Sequence, residues 1–196
     1  MCPQNNNIRD LDPFPPSYPS YPSHAVTIIT MSKFASFVRK YLNHPQVFRH
    51  VLNIYPPYVG AGIHVTHIAN DFTSVNVEMR SRWYTTNYLG TAFGGSLYSM
   101  IDPFFVLLTM NRLGSKYIVW DKEATITFLQ PGRGAKVKAR FDVTQDDIDN
   151  IKEYTKNGMK YHPIFTVNIT DETGEIIIAK AKKTLYVRQK QRRVPS

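Results

Sequence analysis

Hydrophobic residues recur at helical spacing from Ser32 onward, where a polar and proline-rich stretch ends. One stripe begins behind Ser32, which can serve as its N-cap, and a second follows Pro45. Pro56 interrupts the second stripe, because proline lacks the backbone N–H that a helix interior needs. The pattern therefore predicts two short helices ahead of the first strands.

The rest of the chain is mostly alternation of apolar and polar residues, which is typical of half-buried strands. An Asn-Asp turn joins the first two strands, and an Asp-Glu-Thr-Gly turn joins the last two. Thr144, followed by acidic residues, predicts the start of a surface helix at 144–156. The predicted strands are residues 63–69, 73–80, 117–129, 135–143, 163–170 and 175–188.

The longest apolar segment, residues 94–113, lies between these strands and ends at Gly114. It is apolar on nearly all sides, as expected of a helix buried all round. Pro103 is predicted to kink this helix by freeing the carbonyl of Ser99. The order predicts an α+β fold, in which N-terminal helices precede a curved antiparallel sheet wrapped around a central helix. Such a sheet has exposed edges, so we expect subunits to pair edge to edge.

Composition divides the chain into a folded domain and two tails. Residues 1–31 contain six of the thirteen prolines and predict a disordered tail, residues 32–188 predict one domain, and residues 189–196 form a basic tail. The single cysteine, Cys2, can form no intrachain disulfide, so a reducing, cytoplasmic setting is the simplest expectation. No apolar run approaches the roughly 20 residues of a membrane span, and residues 1–31 lack the pattern of a signal peptide.

The formal net charge of +9 has two interpretations. Seven cations and no acid follow Glu175, which would attract an anionic partner such as a nucleic acid or a membrane surface. The same cations also suit a solvated strand face and a frayed tail. No zinc-ligand spacing or RNA-binding motif accompanies them, so a nucleic-acid partner is not favoured. The cations are Lys180, Lys182, Lys183, Arg188, Lys190, Arg192 and Arg193.

The segment from Asn87 to Asp102 carries the clearest candidate chemistry. Gly94 and Gly95 open the apolar helix, where bare N–H groups at a positive dipole end can bind an anion or a developing oxyanion. Asp102 is the one charged residue in the run from Leu97 to Met110. Together these features suggest acyl chemistry, with a donor for the oxyanion and a carboxylate as base or nucleophile.

Helix geometry separates these two groups within one chain. Eight residues at 1.5 Å each place Gly94 about 12 Å from Asp102 along the axis. The two cannot flank one carbonyl in a single subunit, whereas two antiparallel copies of the helix could bring Gly94 of one chain near Asp102 of the other. The chemistry therefore predicts a homodimer, or a dimer of dimers, with shared sites.

Four segments resemble the hotdog-fold acyl-CoA thioesterases, and more closely a bacterial thioesterase-like branch described as a domain of unknown function. The resemblance covers residues 32–188 and implies the same fold and a dimer. The segments are NYLGTAFGG at 87–95, IDP at 101–103, YIVWDK at 117–122 and FLQPGRG at 128–134.

The resemblance to the phenylacetyl-CoA-thioesterase type implies a role for individual residues. Gly94 would provide the oxyanion-binding N–H, Asp102 would act as nucleophile or general base, and Asn87 would shape the loop. Phe93 stands where that family has histidine, and it is placed with Gly95 among the substrate-binding candidates. Arg133, near a hairpin end, could meet the phosphates of coenzyme A.

Three functions remain open from the sequence: a thioesterase acting on an acyl thioester, a non-catalytic protein that binds an acyl ligand, and a basic protein that binds nucleic acid or a membrane surface. No cofactor is predicted. No metal site is predicted either, because His64 and His67 lie three apart on a strand and should face opposite sides.

Overall fold

The computed structural model describes residues 44–190. The predicted helix that begins at Ser32, the proline-rich tail 1–31 and most of the basic tail lie outside the described residues. The helices are α1 (Pro45–Ile54), α2 (Pro56–Ala61), α3 (Gly94–Ile101), α4 (Phe104–Leu113) and α5 (Gln145–Tyr154). The strands are β1 (Ile63–Ile68), β2 (Ser74–Arg80), β3 (Tyr117–Phe128), β4 (Lys136–Asp142), β5 (Lys160–Tyr161), β6 (Ile164–Asp171) and β7 (Ile177–Gln189).

The seven strands form one curved antiparallel sheet, which confirms the predicted α+β class. The strand order is β1-β2-β4-β6-β7-β3, with the short β5 paired to β7. β1 and β3 are therefore the outer strands of this order. Because β3 pairs along nearly its whole length with β7, its other backbone edge is open within the described chain.

Aromatic side chains of α4 hold the central helices against the inner face of the sheet. The ring of Phe104 lies 4.9 Å from that of Phe141 on β4, and the ring of Phe105 lies 4.9 Å from that of Phe165 on β6. All four residues are buried. Aromatic pairs at these distances add about 0.5–1.5 kcal/mol each beyond their burial, so α4 is firmly anchored beside the helix break described next.

The predicted single helix over 94–113 is two helices. α3 ends at Ile101 and α4 begins at Phe104, because Pro103 has no N–H to continue the ladder. The carbonyl of Ser99 is not free as predicted, because it accepts from Asp102 N at 3.4 Å at the end of α3. The prediction of burial on all sides is also wrong for a single chain, since Tyr98 and Met110 are 41% and 43% exposed.

Prolines at 56 and 57 do not simply stop the preceding helix as predicted. They occupy the first turn of the separate helix α2, where the missing N–H costs nothing because no helical partner exists there. The surface helix α5 follows the prediction, and Thr144 and Asp147 form a reciprocal capping box at its start. The two-residue strand β5 was not predicted.

His64 and His67 face the same side of the sheet, contrary to the prediction. The register of β1 shifts between Val65 and His67, so His64 pairs with Glu78 and His67 with Asn76. Glu78 and Asn76 are two residues apart on β2 and therefore share a face. The bulge inserts an extra residue that simple alternation cannot anticipate.

Candidate active site

The loop between β2 and α3 is held by the buried side chain of Thr85. Its hydroxyl donates to Arg80 O and accepts from Arg82 N, each at 2.8 Å. Its carbonyl accepts from Phe93 N at 2.9 Å, directly before α3. The loop therefore fixes the position at which α3 begins.

Asn87 makes several hydrogen bonds within the outer part of this loop. Its Oδ1 accepts from Leu89 N at 2.9 Å and from Thr91 N at 3.2 Å, and its backbone N–H donates to Thr91 O at 2.8 Å. Gly90 takes a positive φ of 70° in the resulting turn. Because the Asn87 side chain is used within the loop, its contacts are those of a loop-shaping residue.

Gly94 and Gly95 form the first turn of α3, with Phe93 as the N-cap. The bond from Leu97 N to Phe93 O is the first of the helix, so the N–H groups of Gly94, Gly95 and Ser96 have no acceptor among the residues that the structure describes. These donors are available to an anionic group.

Aromatic rings lie against both glycines. A Cβ at Gly95 would lie 2.5 Å from Cε1 of Phe93, and one at Gly94 would lie 3.2 Å from Cζ of Phe128. Phe93 and Phe128 are about half exposed. The glycines therefore have a packing reason as well as a chemical one: they let two aromatic side chains border the start of α3.

Arg133 lies beside the same loop. The neighbouring carbonyl of Gly132 accepts from Ala92 N at 2.9 Å, and a Cβ at Gly132 would come within 2.8 Å of the Ala92 Cβ. The side chain of Arg133 is exposed. The structure thus brings Arg133 near the loop that leads into α3, although the two are about 40 residues apart in the sequence.

Asp102 lies at the break between α3 and α4, where the buried Lys183 of β7 reaches it. Lys183 Nζ donates to Asp102 O at 2.5 Å and to Asp102 Oδ1 at 3.1 Å. Lys183 is 2% exposed, whereas the Asp102 side chain is 60% exposed. One carboxylate oxygen of Asp102 is therefore anchored from within the protein, on a side chain that is otherwise open.

Asp121 on β3 is the second carboxylate at Lys183. Its Oδ1 lies 3.1 Å from Lys183 Nζ and forms an ion pair with it. This oxygen atom is buried and accepts no hydrogen bond from the residues that the structure describes. Burial raises the pKa of the Asp121 carboxyl above its usual range, the Lys183 ammonium opposes that rise, and the Asp102 charge adds to it. A register shift between Asp121 and Glu123 marks a bulge at this point of β3.

Tyr58 of α2 completes the surroundings of the helix break. Burial raises the pKa of its phenol, and the charge of Asp102 raises it further. Its ring lies 6.0 Å from that of Phe104, the first residue of α4. Tyr58 is therefore a neutral, buried neighbour of the candidate carboxylate.

The sequence interpretation missed Lys183 by counting it among solvated cations. In β7 the inward register is otherwise apolar, so a lone lysine in that register was the available signal. The inward residues are Ala179, Ala181, Lys183, Leu185 and Val187. Lys190 is also engaged, since its Nζ donates to Ser115 O at 2.8 Å. The case for a free basic patch is weakened accordingly.

Gly94 and Asp102 lie at opposite ends of α3, as the residue count predicted. At 1.5 Å per residue they are about 12 Å apart along the axis. Tyr98, four residues before Asp102, lies on the same side of α3 as Asp102, and Phe128 lies near Gly94. Each candidate group thus has an exposed aromatic side chain beside it, and Met110 is exposed on α4.

Within residues 44–190, no group of three or more His, Cys, Asp or Glu side chains is placed to hold a metal ion. Across the same range, every helix is too short or too polar to cross a membrane.

A family model, described as a domain of unknown function (DUF4442), matches residues 44–187. No curated protein gives a significant sequence match. Several solved structures share the fold at low identity. A protein of unknown function from Pseudomonas aeruginosa, described as a probable thioesterase, has a TM-score of 0.66 at 18% identity, covering 76% of this chain and 99% of its own.

Two further structures extend this comparison. A thioesterase from Haemophilus influenzae has a TM-score of 0.55 at 14% identity, over 76% of this chain and 94% of its own. Thioesterase superfamily member 2 from Mus musculus has a TM-score of 0.53 at 19% identity, covering 72% of this chain and 96% of its own. At these identities the comparisons establish the fold, which is the hotdog fold.

Proposed function

The chain belongs to the DUF4442 family and has the hotdog fold of the thioesterase superfamily, and from this premise we propose that it hydrolyses an acyl-CoA-type thioester. The observation that carries the proposal is that one helix, α3, has N–H groups without acceptors at its start and an exposed carboxylate, Asp102, at its end. Hydrolysis of a thioester needs both kinds of group.

In the proposed reaction, the N–H of Gly94 donates to the carbonyl oxygen as it becomes an oxyanion. A donor of this kind is worth roughly 3–4 kcal/mol in other hydrolases. Asp102 either removes a proton from the attacking water or attacks the carbonyl itself. With Asp102 as base, water adds to the carbonyl, the C–S bond breaks, and the thiolate takes up the proton that Asp102 removed. With Asp102 as nucleophile, the C–S bond breaks to leave an acyl–Asp102 anhydride, and water then cleaves it, supplying the hydroxyl group of the acid and a proton for the thiolate.

The distance along α3 requires two chains for one site in this proposal. Gly94 of one subunit and Asp102 of its partner would act on the same carbonyl. The exposed side chains of Tyr98 and Met110 and the open edge of β3 support such pairing, because a second copy would cover them.

The substrate-binding assignments follow from position. Gly95 and Phe93 border the start of α3, where the acyl group would enter, and Arg133 beside the preceding loop would contact phosphate groups of coenzyme A. Asn87 would act indirectly, by holding the loop in shape.

The test is a panel of acyl-CoA substrates on the wild type and on Asp102→Asn. We expect kcat to fall by about 100-fold or more, because the variant lacks the base or nucleophile. Asp149→Asn, on the exposed side of α5, is the matched control and should retain full turnover. Undiminished hydrolysis by Asp102→Asn would overturn the assignment of Asp102.

A second candidate function is binding of an acyl ligand without hydrolysis. It is favoured by Phe93, whose ring packs on Gly95 where the phenylacetyl-CoA-thioesterase type has histidine. Native mass spectrometry would decide between the two functions. A bound acyl compound together with no turnover across the panel would support the second candidate.

A further inference from the structure

We propose that Lys183 is a positioning residue that holds the Asp102 carboxylate at the helix break, with the partly buried Asp121 as its counter-charge. The inference rests on the proposed function, since it explains how the candidate catalytic carboxylate is oriented. Lys183 is buried on β7, and Asp121 on β3 is partly buried.

The ammonium group of Lys183 meets three oxygens. These are the backbone carbonyl and Oδ1 of Asp102, and Oδ1 of Asp121. The two oxygens of Asp102 accept hydrogen bonds from the ammonium, and the Asp121 oxygen is held as an ion pair. Contact with both the backbone and the side chain of Asp102 restricts the orientation of the carboxylate more than a single contact would.

The break between α3 and α4 provides the carbonyl that Lys183 uses. Asp102 caps the C-terminus of α3, and the following Pro103 interrupts the helical ladder. A cation near the C-terminus of a helix also opposes the negative end of the helix dipole. The helix dipole therefore also stabilises the ammonium group at the position where it contacts Asp102.

Stability of the fold alone does not account for a lysine at this position. The rest of the inward register of β7 is apolar, and buried ion pairs can often be replaced by apolar residues without loss of stability. What an apolar residue could not do is contact one oxygen of Asp102 and leave the remainder of the side chain open. The exposures agree with this arrangement, since the Lys183 side chain is 2% exposed and the Asp102 side chain is 60% exposed.

Three groups near Asp102 come from three different elements. Tyr58 comes from α2, Asp121 from β3 and Lys183 from β7. Lys183 is the one cation among these three. Its removal leaves two neighbouring carboxylates without a counter-charge, so protonation of one of them becomes favourable at higher pH.

The test compares Lys183→Met with the double variant Lys183→Met/Asp121→Asn in the full-length chain. The single variant leaves the partly buried Asp121 without its counter-charge and should unfold at lower denaturant concentration. The double variant removes both charges of this pair and should recover the wild-type midpoint. Lys182→Met is the matched control, because Lys182 is exposed on the same strand.

If Lys183 positions Asp102, the stable double variant still hydrolyses acyl-CoA with a kcat lowered by about 100-fold, while KM changes little. The acidic limb of the pH profile of kcat also moves to higher pH in Lys183→Met. A double variant that recovers both stability and full kcat would show that Lys183 is structural only, and it would overturn the inference.

A readout independent of turnover separates this inference from the proposed function. The carboxyl carbon of Asp102, assigned by its loss in Asp102→Asn, is followed by NMR during a pH titration. We expect the midpoint of this titration to move to higher pH in Lys183→Met and to stay unchanged in Lys182→Met. Absence of hydrolysis by the wild type would overturn the proposed function, whereas an unmoved midpoint would overturn the role of Lys183.

Discussion

Phe93 and Gly95 are matched to each other at the start of α3, because the phenyl ring occupies the space that a methyl group at 95 would need. A Cβ added at Gly95 would lie 2.5 Å from Phe93 Cε1, a separation that real side chains do not tolerate. The ring is half exposed and can move away. A substitution at 95 therefore changes where the ring lies more than it changes the stability of the fold.

Gly95→Ala tests this arrangement at the level of one residue. We expect the ring of Phe93 to turn outward, the free energy of unfolding to change by less than about 1 kcal/mol, since alanine also favours the helix, and KM for an acyl-CoA substrate to rise. Steady-state kinetics and denaturant unfolding measure both effects.

Gly60→Ala is the control for that experiment, because a Cβ there would meet nothing within 4 Å in helix α2. Its KM should equal that of the wild type. An equal KM for Gly95→Ala would contradict the idea that the ring borders the substrate.

Elements, rather than single residues, decide where the candidate groups lie. The loop before α3 is closed by side-chain bonds to its own backbone, through Thr85 at its base and Asn87 at its tip. The other end of α3 is set by Pro103 and held by Lys183. Helix α3 is thus fixed at both ends by interactions that are not helical hydrogen bonds, and its ends carry the candidate chemistry.

Asn87→Ala is the prediction at this scale. The substitution removes the oxygen that accepts from the N–H groups of Leu89 and Thr91. We expect the free energy of unfolding to fall by about 1–2 kcal/mol. A less ordered loop should also lower hydrolysis. Tyr88→Ala, at a 95% exposed position of the same loop, should leave stability unchanged. Equal stabilities of Asn87→Ala and Tyr88→Ala would contradict the loop-shaping role.

At the scale of the whole molecule, the central helices and the neighbouring strand β3 carry exposed side chains within residues 44–190. Tyr98, Asp102 and Met110 are exposed on or beside α3 and α4, and Phe128 on β3 is 55% exposed. The opposite sides of α3 and α4 pack into the core. An apolar surface next to an open strand edge is a common basis for association between copies of a chain.

Met110→Glu tests whether a second copy covers this surface. Met110 is 43% exposed in the single chain, so the fold should tolerate a charge there, whereas a buried interface would not. We expect at least a tenfold rise in the dimer dissociation constant, measured by sedimentation velocity, with loss of hydrolysis at low protein concentration.

The control is Met159→Glu, in the turn before β5, where the side chain is 64% exposed. It should sediment as the wild type does. Unchanged association of Met110→Glu would exclude this surface as the interface and leave the shared-site mechanism without support.

Local patterns were enough to predict most of the fold, because alternation and helical spacing depend only on which face of each element meets the core. The strand order, the small register shifts and the separate helix at Pro56 needed the structure. A bulge such as that between Val65 and His67 places an extra residue in one strand of a pair. It depends on how the two strands are paired, which the pattern of one strand does not contain.

The same division applies to the candidate site. Gly94, Asp102 and their separation along α3 were evident from the sequence, since they belong to one helix and helical rise is constant. Lys183 and its contact with Asp102 were not, because the two residues are 81 positions apart and meet only when β7 packs behind the helix break. Sequence thus determined which groups α3 carries, and tertiary packing decided which charge holds Asp102, because burial depends on neighbours that are remote in the chain.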